Sequence, residues 1–393
     1  METQCCIVGG GPAGVVLSYL LARRGVSVTL LEAHQDFDRE FRGDTLHPST
    51  LELMAQLGLA DELLALPHTK ARELTFRTPA GTFTPVNFGL LRSPYPFVTL
   101  MPQSQFLEFL SGHARQYEGF DIRMGANVRD LLQHEGVTCG VRYDGGNGEH
   151  EVRAPLVVAC DGRFSRLRKA AGLEPIKTSP PMDVLWFRLS RRPGDLDVLN
   201  ARIGGGHLVV ILPRVDHFQL GYVIMKGSYH ELRDSGLAAL RTSLAELIPE
   251  LADRVDELHD WKQIAPLSVE SNRLPTWHQP GLLFLGDAAH VMSPVGGVGI
   301  NLAIQDAVVA ANVLTGPLLA GRVTAANLAA VQRRREWPTR VIQRFQSLVQ
   351  KRVIQVALDP QVRFTVPLFF RLPWLRRLPA RLIGIGLRRV RVE

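Results

Sequence analysis

At 393 residues, with 46% hydrophobic and 21% charged side chains, the chain exceeds one hydrophobic core and should fold throughout, which excludes a disordered or low-complexity protein. Its net charge of +7 is carried mainly by arginines scattered along helical stretches and gathered near the C-terminus, not in a basic stripe interleaved with aromatics. Nucleic acid is therefore not an expected partner; the mild positive balance suits anionic small molecules.

Cys5, Cys6, Cys139 and Cys160 form no Cys-x-x-Cys pair and no ligand spacing with histidine, so reduced, mostly buried cysteines and no metal site are expected. No cleavable leader precedes the first apolar run, and no stretch of about 18 apolar residues offers a membrane span. A cytoplasmic address is the expectation.

The first elements are a strand over Gln4 to Val8, a helix over Val15 to Arg24 ending at Gly25, and a strand over Ser27 to Glu32. Together they make a βαβ unit of dinucleotide-binding size. Between strand and helix, Gly9, Gly11 and Gly14 match G-x-G-x-x-G. Gly9 permits the turn, Gly11 lets the backbone approach a pyrophosphate, and Gly14 lets helix and strand pack closely. Ala13 lies in the same turn, whose free N–H groups attract the diphosphate. Glu32 ends the second strand, where an acid accepts hydrogen bonds from a ribose 2′-OH; this suits FAD or NAD better than NADP, and spacing does not separate those two.

Proline- and glycine-broken short strands fill Leu74 to Val98, followed by a helix from about Ser104 to Tyr117. Strands are expected over Asp121 to Met124, Val137 to Tyr143, Glu149 to Val152 and Leu156 to Ala159. The alternating stretch Met182 to Val223, interrupted afterwards by a helix over Leu237 to Leu247, reads as a mostly antiparallel sheet. Leu282 to Leu285 returns to the first domain as a buried strand, and helices from Gly299 run to about Ala357. The expected division is residues 1–73, 99–175 and 273–357 for nucleotide binding, 74–98 and 176–272 for the substrate, and 358–393 as a tail.

Two further segments, Cys160-Asp161-Gly162 and Gly286-Asp287-Ala288-Ala289-His290, each place an aspartate beside a glycine at the end of an apolar strand, the edge where open α/β sheets bind ligands. With the glycine turn and the loop Ser293-Pro294-Val295-Gly296-Gly297-Val298-Gly299-Ile300-Asn301, these segments resemble the single-component FAD-dependent aromatic monooxygenases, the para-hydroxybenzoate hydroxylase family. The resemblance spans nearly the whole chain.

It implies a Rossmann-like α/β FAD-binding domain interleaved with a mostly antiparallel substrate domain and followed by a C-terminal helical region. It implies FAD held by Gly9, Gly11, Ala13, Gly14, Glu32, Arg42, Gln103, Val128, Asp161, Gly162, Asp287, Gly299, Ile300 and Asn301, with Arg42 near the phosphates and the backbone of Val128 at the adenine. NADPH or NADH is the transient electron donor. Pro294 and Gly296 are placed near flavin C4a, where the family forms its hydroperoxide and passes one oxygen of O2 to an organic substrate. The N–H groups of Ile300 and Asn301 would face the charge that develops on reduced flavin.

His47 and His290 are the titratable residues expected nearest the flavin, His47 as a proton relay and His290 as a structural hydrogen-bonding residue. About half of Trp186, Phe187, Val209 and Phe218 should face an aromatic or polycyclic substrate. Two other readings stay open from the residues: a flavin dehydrogenase or reductase of the same fold, and a non-catalytic flavin-binding protein. The arginine- and phenylalanine-rich tail, Arg363 to Glu393, suits packing on its own protein or a second subunit, or contact with an anionic membrane; monomer or homodimer is expected.

Overall fold

Cys5–Val8 carries no charged side chain and is fully buried, as a strand covered on both faces must be. In the computed structural model of the chain, which describes residues 1–38, 44–195, 198–359 and 377–393, it is central to a six-stranded sheet. The order is 278–279, 282–284, 157–159, 5–8, 28–32 and 120–124; every pairing is parallel except the 278–279 hairpin edge.

Alternation along the strands divides the core in two. Cys5, Ile7 and Leu30 point to the helices Pro12–Arg23, Gln103–Ala114 and Gly299–Leu319. Cys6, Val8 and Leu31 point instead to an antiparallel sheet of Asn127–His134, Val137–Gly145 and Gly148–Arg153. The four cysteines are unpaired, and all but Cys139 are buried.

The second large sheet has seven strands in the order 265–267, 182–190, 217–225, 207–213, 200–204, 73–78 and 81–87, antiparallel except where 200–204 runs parallel to 73–78. Phe187, Val209 and Phe218 face outward, under Leu237–Leu247 and the turn Pro249–Glu257. Trp186 and Val210, one residue out of phase, face inward, toward the first sheet's carboxyl edge.

Several expected boundaries move. The helix expected from Ser104 to Tyr117 runs from Gln103 to Ala114, with Pro102 before its first turn. Gly299–Leu319 runs through Pro317, which falls in its last turn and so breaks little of the hydrogen-bond ladder. This helix also corrects the expectation that no apolar run reaches membrane-spanning length. The segment Val295–Leu319 does, with mean hydropathy 1.5, yet 67% of that apolar window is buried inside the protein, where it is a core helix. Helices Pro48–Gln56 and Ala60–Ala65 were not anticipated.

Of the tail, residues 360–376 lie outside the described residues. Arg377–Gly384 is a short helix packed on Gly81–Asn87 and the turn Phe88–Leu90, with Ala380 and Ile385 buried. The last residues cross back to the helices Gly299–Leu319 and Pro48–Gln56: Asn312 Nδ2 donates to the Arg391 carbonyl at 2.8 Å and Val392 N to Gln56 Oε1 at 2.9 Å. Packing on its own protein is thus what the described tail does.

Candidate functional site

Four parallel strands end on one edge, so the residues that follow them meet although they are far apart in sequence. Gly9 follows the first strand with φ +104°, and a Cβ there would lie 2.4 Å from the Cys160 carbonyl oxygen. A Cβ on Gly14 would lie 2.0 Å from the Gly9 oxygen, whereas one on Gly11 would meet nothing within 4 Å. The first two glycines therefore let the chain pack on itself, and the third leaves open space for a ligand. Ala13 sits in the first turn of Pro12–Arg23, whose N-terminus faces that space.

Glu32 is buried at the end of its strand. Its Oε2 accepts from Gly10 N at 2.7 Å, and its Oε1 accepts from His34 N at 2.9 Å, with His34 Nδ1 at 2.6 Å. The carboxylate lines the cavity at the strand's carboxyl edge, where an acid can meet ribose hydroxyls. Gly10 is crowded by side chains: a Cβ would lie 3.0 Å from Glu32 Oε2 and 3.1 Å from the Phe37 ring. Ala126 N donates to the Glu32 carbonyl at 2.8 Å, which brings Asn127 and Val128 to the same end of the cavity.

Asp161 and Asp287 follow the neighbouring strands 157–159 and 282–284. Asp161 Oδ2 accepts from Leu167 N at 3.1 Å, while Oδ1 is buried with no hydrogen-bond partner among the described residues. Burial pushes this carboxyl above the usual carboxylate range. An unpaired buried acceptor in a cavity wall calls for a donor from a ligand. Arg168 ties the two segments together, donating to the Ala288 and Arg163 carbonyls.

Behind the second segment, Asp306 Oδ2 lies 2.6 Å from His290 Nε2 and Oδ1 accepts from Arg335 Nε at 2.6 Å, all three wholly buried. Burial alone would raise the Asp306 carboxyl; His290 and Arg335 outweigh it and hold it below the ordinary value. His290 thus has a structural partner. Asp306 Oδ2 also accepts from Gly286 N at 3.3 Å and so fixes the turn carrying Asp287.

The loop from Met292 enters Gly299–Leu319 through Gly296 and Gly297, both at positive φ, a conformation that needs glycine. Gln346 holds it from behind, donating from Nε2 to the Ser293 and Val295 carbonyls at 2.8 Å each. Helical geometry leaves the N–H groups of Gly299, Ile300 and Asn301 without an intrahelical acceptor, and the helix begins at the cavity wall.

The Asn301 side chain also has a task that its sequence position did not suggest. Its Oδ1 accepts from His47 N at 2.8 Å and Thr50 Oγ1 at 2.7 Å, and its Nδ2 donates to the Thr45 carbonyl at 3.2 Å. His47 is buried beside Gly297, its Nδ1 2.8 Å from the Ile383 carbonyl, and burial lowers its pKa to about 4. The ring is neutral at physiological pH, poorly suited to holding a proton as imidazolium but able to offer a lone pair.

One cavity of about 1830 Å³, roughly twice the upper end of ordinary small-molecule pockets, joins most of the expected site residues; Gly14, Asn301 and His290 stand behind its wall and do not line it. Its ADP-like end is lined by Gly9–Ala13, Glu32 and Val128, and its middle by Gln103, Asp161, Gly162, Asp287, Pro294, Gly296, Gly299 and Ile300. Its far end is apolar sheet: Val184, Trp186, Leu208, Val210, Leu212 and Val223. Of the four residues named from sequence, only Trp186 lines it.

A polar cluster unanticipated from sequence interrupts the apolar end. Arg214 donates from Nη2 to Asp44 Oδ2 at 2.8 Å and from Nε to Gln219 Oε1 at 3.1 Å. Gln103 N also binds Asp44, at 3.2 Å. The two halves are separated by 170 residues, so no local pattern announces the pair. Arg42 lies outside the described residues.

The fold and this donor set fit FAD: a glycine turn, an acid for ribose, an orphaned carboxylate oxygen for a ribityl hydroxyl, and a helix N-terminus beside a loop too small to block a flat ring. The comparisons agree. The FAD binding domain family matches residues 2–345. The 6-methylpretetramide 4-monooxygenase of Streptomyces rimosus is 34% identical over 355 residues, 90% of this chain and 84% of that enzyme. The 12-dehydrotetracycline 5-monooxygenase/anhydrotetracycline 6-monooxygenase of the same species is 26% identical over 78% of this chain, which spans only 61% of that longer protein. Among solved structures, Pseudomonas aeruginosa PqsL in complex with 2-aminobenzoylacetate superposes with TM-score 0.79 at 20% identity, over 92% of this chain and 98% of that one. That last likeness speaks to the fold. The chain belongs to the FAD-binding-domain family and is an FAD-dependent monooxygenase of the para-hydroxybenzoate hydroxylase type.

Proposed function

We propose that this enzyme takes electrons from NADH or NADPH and places one oxygen atom of O2 on a flat, polycyclic aromatic substrate lying between the flavin site and the inner face of the seven-stranded sheet. The observation that carries this reading is the continuous cavity, polar and glycine-lined at one end and apolar at the other. Its apolar end accepts fused rings, and Arg214 with Gln219 offers a polar substituent a fixed point. The relatives named for tetracycline precursors support the same substrate class.

When bound, FAD supplies electron transfer and oxygen activation; the chain supplies position and electrostatics. Glu32 and the Gly9–Gly14 turn would hold the ADP half, with Val128 along the adenine and Arg42 toward the phosphates. Asp161 and Asp287 would hold hydroxyls of the ribityl chain, and Gln103 would reach the cofactor's middle. The N–H groups of Gly299, Ile300 and Asn301, at the positive end of a long helix, would stabilise negative charge on the ring. Pro294 and Gly296 would leave its reacting face open, and His47 would accept a hydrogen bond there through Nε2. The apolar sheet excludes water from that volume. A division at residues 74–98 and 176–272 for the substrate-facing part, and a cytoplasmic monomer or homodimer, complete the reading.

The test is direct. Purified enzyme given NADPH or NADH under 18O2 should oxidise the nucleotide faster when anhydrotetracycline or an anthraquinone panel is present, and one 18O should appear in the product. Reduction or desaturation without label would overturn the oxygen-transfer reading.

A further inference from the structure

We infer that the C-terminal segment Arg377–Glu393 is a working wall of the active site, which closes the flavin end of the cavity and, through the Ile383 carbonyl, holds His47 with its proton on Nδ1 and its Nε2 lone pair facing the reaction volume. The inference rests on the proposed placement of the flavin ring beside Gly296 and His47.

A carbonyl oxygen can only accept, so the 2.8 Å approach of His47 Nδ1 to Ile383 O requires the proton on Nδ1. In a neutral ring that leaves Nε2 as an acceptor. The ring is turned so that Nε2 lies 3.6 Å from where a Cβ on Gly297 would stand, on the loop that enters Gly299–Leu319. The Ile383 side chain lies 3.5 Å from the Cβ position of Gly296, and Pro379 and Ile383 both line the cavity.

The segment is fitted to this place. A Cβ on Gly384 would come within 3.0 Å of Leu91 Cδ1 and 3.2 Å of Phe88 Cδ1, so the glycine lets the helix seat closely and any side chain there would have to displace those two. Beyond it, Arg389 pairs with Glu52 at 3.2 Å and donates to the Arg92 carbonyl at 2.6 Å, and Asn312 and Gln56 hold the last residues. The apolar side of the helix is therefore occupied by the protein itself. All of this lies beyond residue 345, where the match to the FAD-binding family ends. Ile383 is thus a positioning residue contributed by a part of the chain outside that match.

The test uses the full-length holoenzyme and two variants, Gly384→Val, which wedges the helix off Phe88 and Leu91, and a chain stopped before Arg377. Acrylamide quenching of bound FAD fluorescence reads the wall, and the 15N shifts of the His47 imidazole, assigned by His47→Gln, read the tautomer. Wild type should show the Nδ1–H pattern. Either variant should raise the quenching constant roughly two- to threefold as water reaches the ring, and should lose that pattern. FAD affinity, read by titration, should stay within about threefold of wild type, since the ADP-binding residues are untouched. An Nε2–H tautomer in wild type, or wild-type quenching and shifts in a folded, FAD-loaded variant, would overturn the inference. Failure of wild type to bind FAD would instead overturn the site reading on which it rests.

Discussion

Gly11 and Gly14 stand three residues apart in one turn and are glycines for different reasons. At Gly14 the added methyl would be driven into the Gly9 carbonyl at 2.0 Å, whereas at Gly11 it would point into the open cavity. Gly14→Ala should therefore cost more than about 3 kcal/mol of apoprotein stability by overpacking. Gly11→Ala should cost less than about 1 kcal/mol there yet weaken FAD binding at least tenfold, or about 1.4 kcal/mol. Urea unfolding of the apoprotein and FAD titration separate the two.

His47 gives the residue scale a pH dependence. Its folded pKa, about 4, lies below the ordinary value of 6.5, so between those values the unfolded chain binds more protons and acid favours unfolding. Its contribution is present above about pH 6.5 and is lost as pH falls toward 4. Stability should drop by about 2 kcal/mol from this residue between pH 7 and pH 5. His47→Gln should show a correspondingly shallower loss over that window in urea titrations.

At the scale of elements, the site depends on helices being pinned to strand ends by buried polar groups. Asn301 joins Gly299–Leu319 to Pro48–Gln56 through His47 N and Thr50 Oγ1, and Asp306 joins the same helix to the Gly286 turn and to Arg335 on Ala325–Val349. Removing Asp306 would leave the buried Arg335 guanidinium without its counter-charge. Asp306→Ala should therefore cost about 3–5 kcal/mol, with FAD retention falling as the turn carrying Asp287 loosens. Differential scanning fluorimetry and flavin absorbance after gel filtration check both.

These links mark the limit of what periodicity could reveal. The βαβ unit, the strand Leu282 to Leu285 and the helix Leu237 to Leu247 were legible because strand and helix periods are local. Asn301 was read as an N–H donor at a helix start, and its side-chain clamp escaped notice because its partners lie about 250 residues away.

At the scale of the whole molecule, the Asp44–Arg214 pair ties the nucleotide-binding part to the seven-stranded sheet across the cavity. Burial pushes Asp44 up, with Arg214 pulling it down, and burial lowers Arg214 as well, so each charge depends on the other. Arg214→Leu should strand a buried carboxylate and cost about 3 kcal/mol or more, while Arg214→Lys should recover only part of it, lacking the planar fork that also reaches Gln219. Urea unfolding of the three proteins at pH 7 provides the comparison.

By itself the sequence determined a dinucleotide site, because a glycine turn after a strand and an acid at the next strand's end carry their chemistry in local spacing; FAD rather than NAD followed from the resemblance carried by the later aspartate-glycine segments and the proline-glycine loop. Only the tertiary structure decided which face of the large sheet lines the cavity, turning Trp186 inward and Phe187, Val209 and Phe218 outward, since alternation names two faces without saying which one is covered. It alone brought Arg214 to Asp44 and Ile383 to His47, contacts between segments whose separation in sequence leaves no periodic trace.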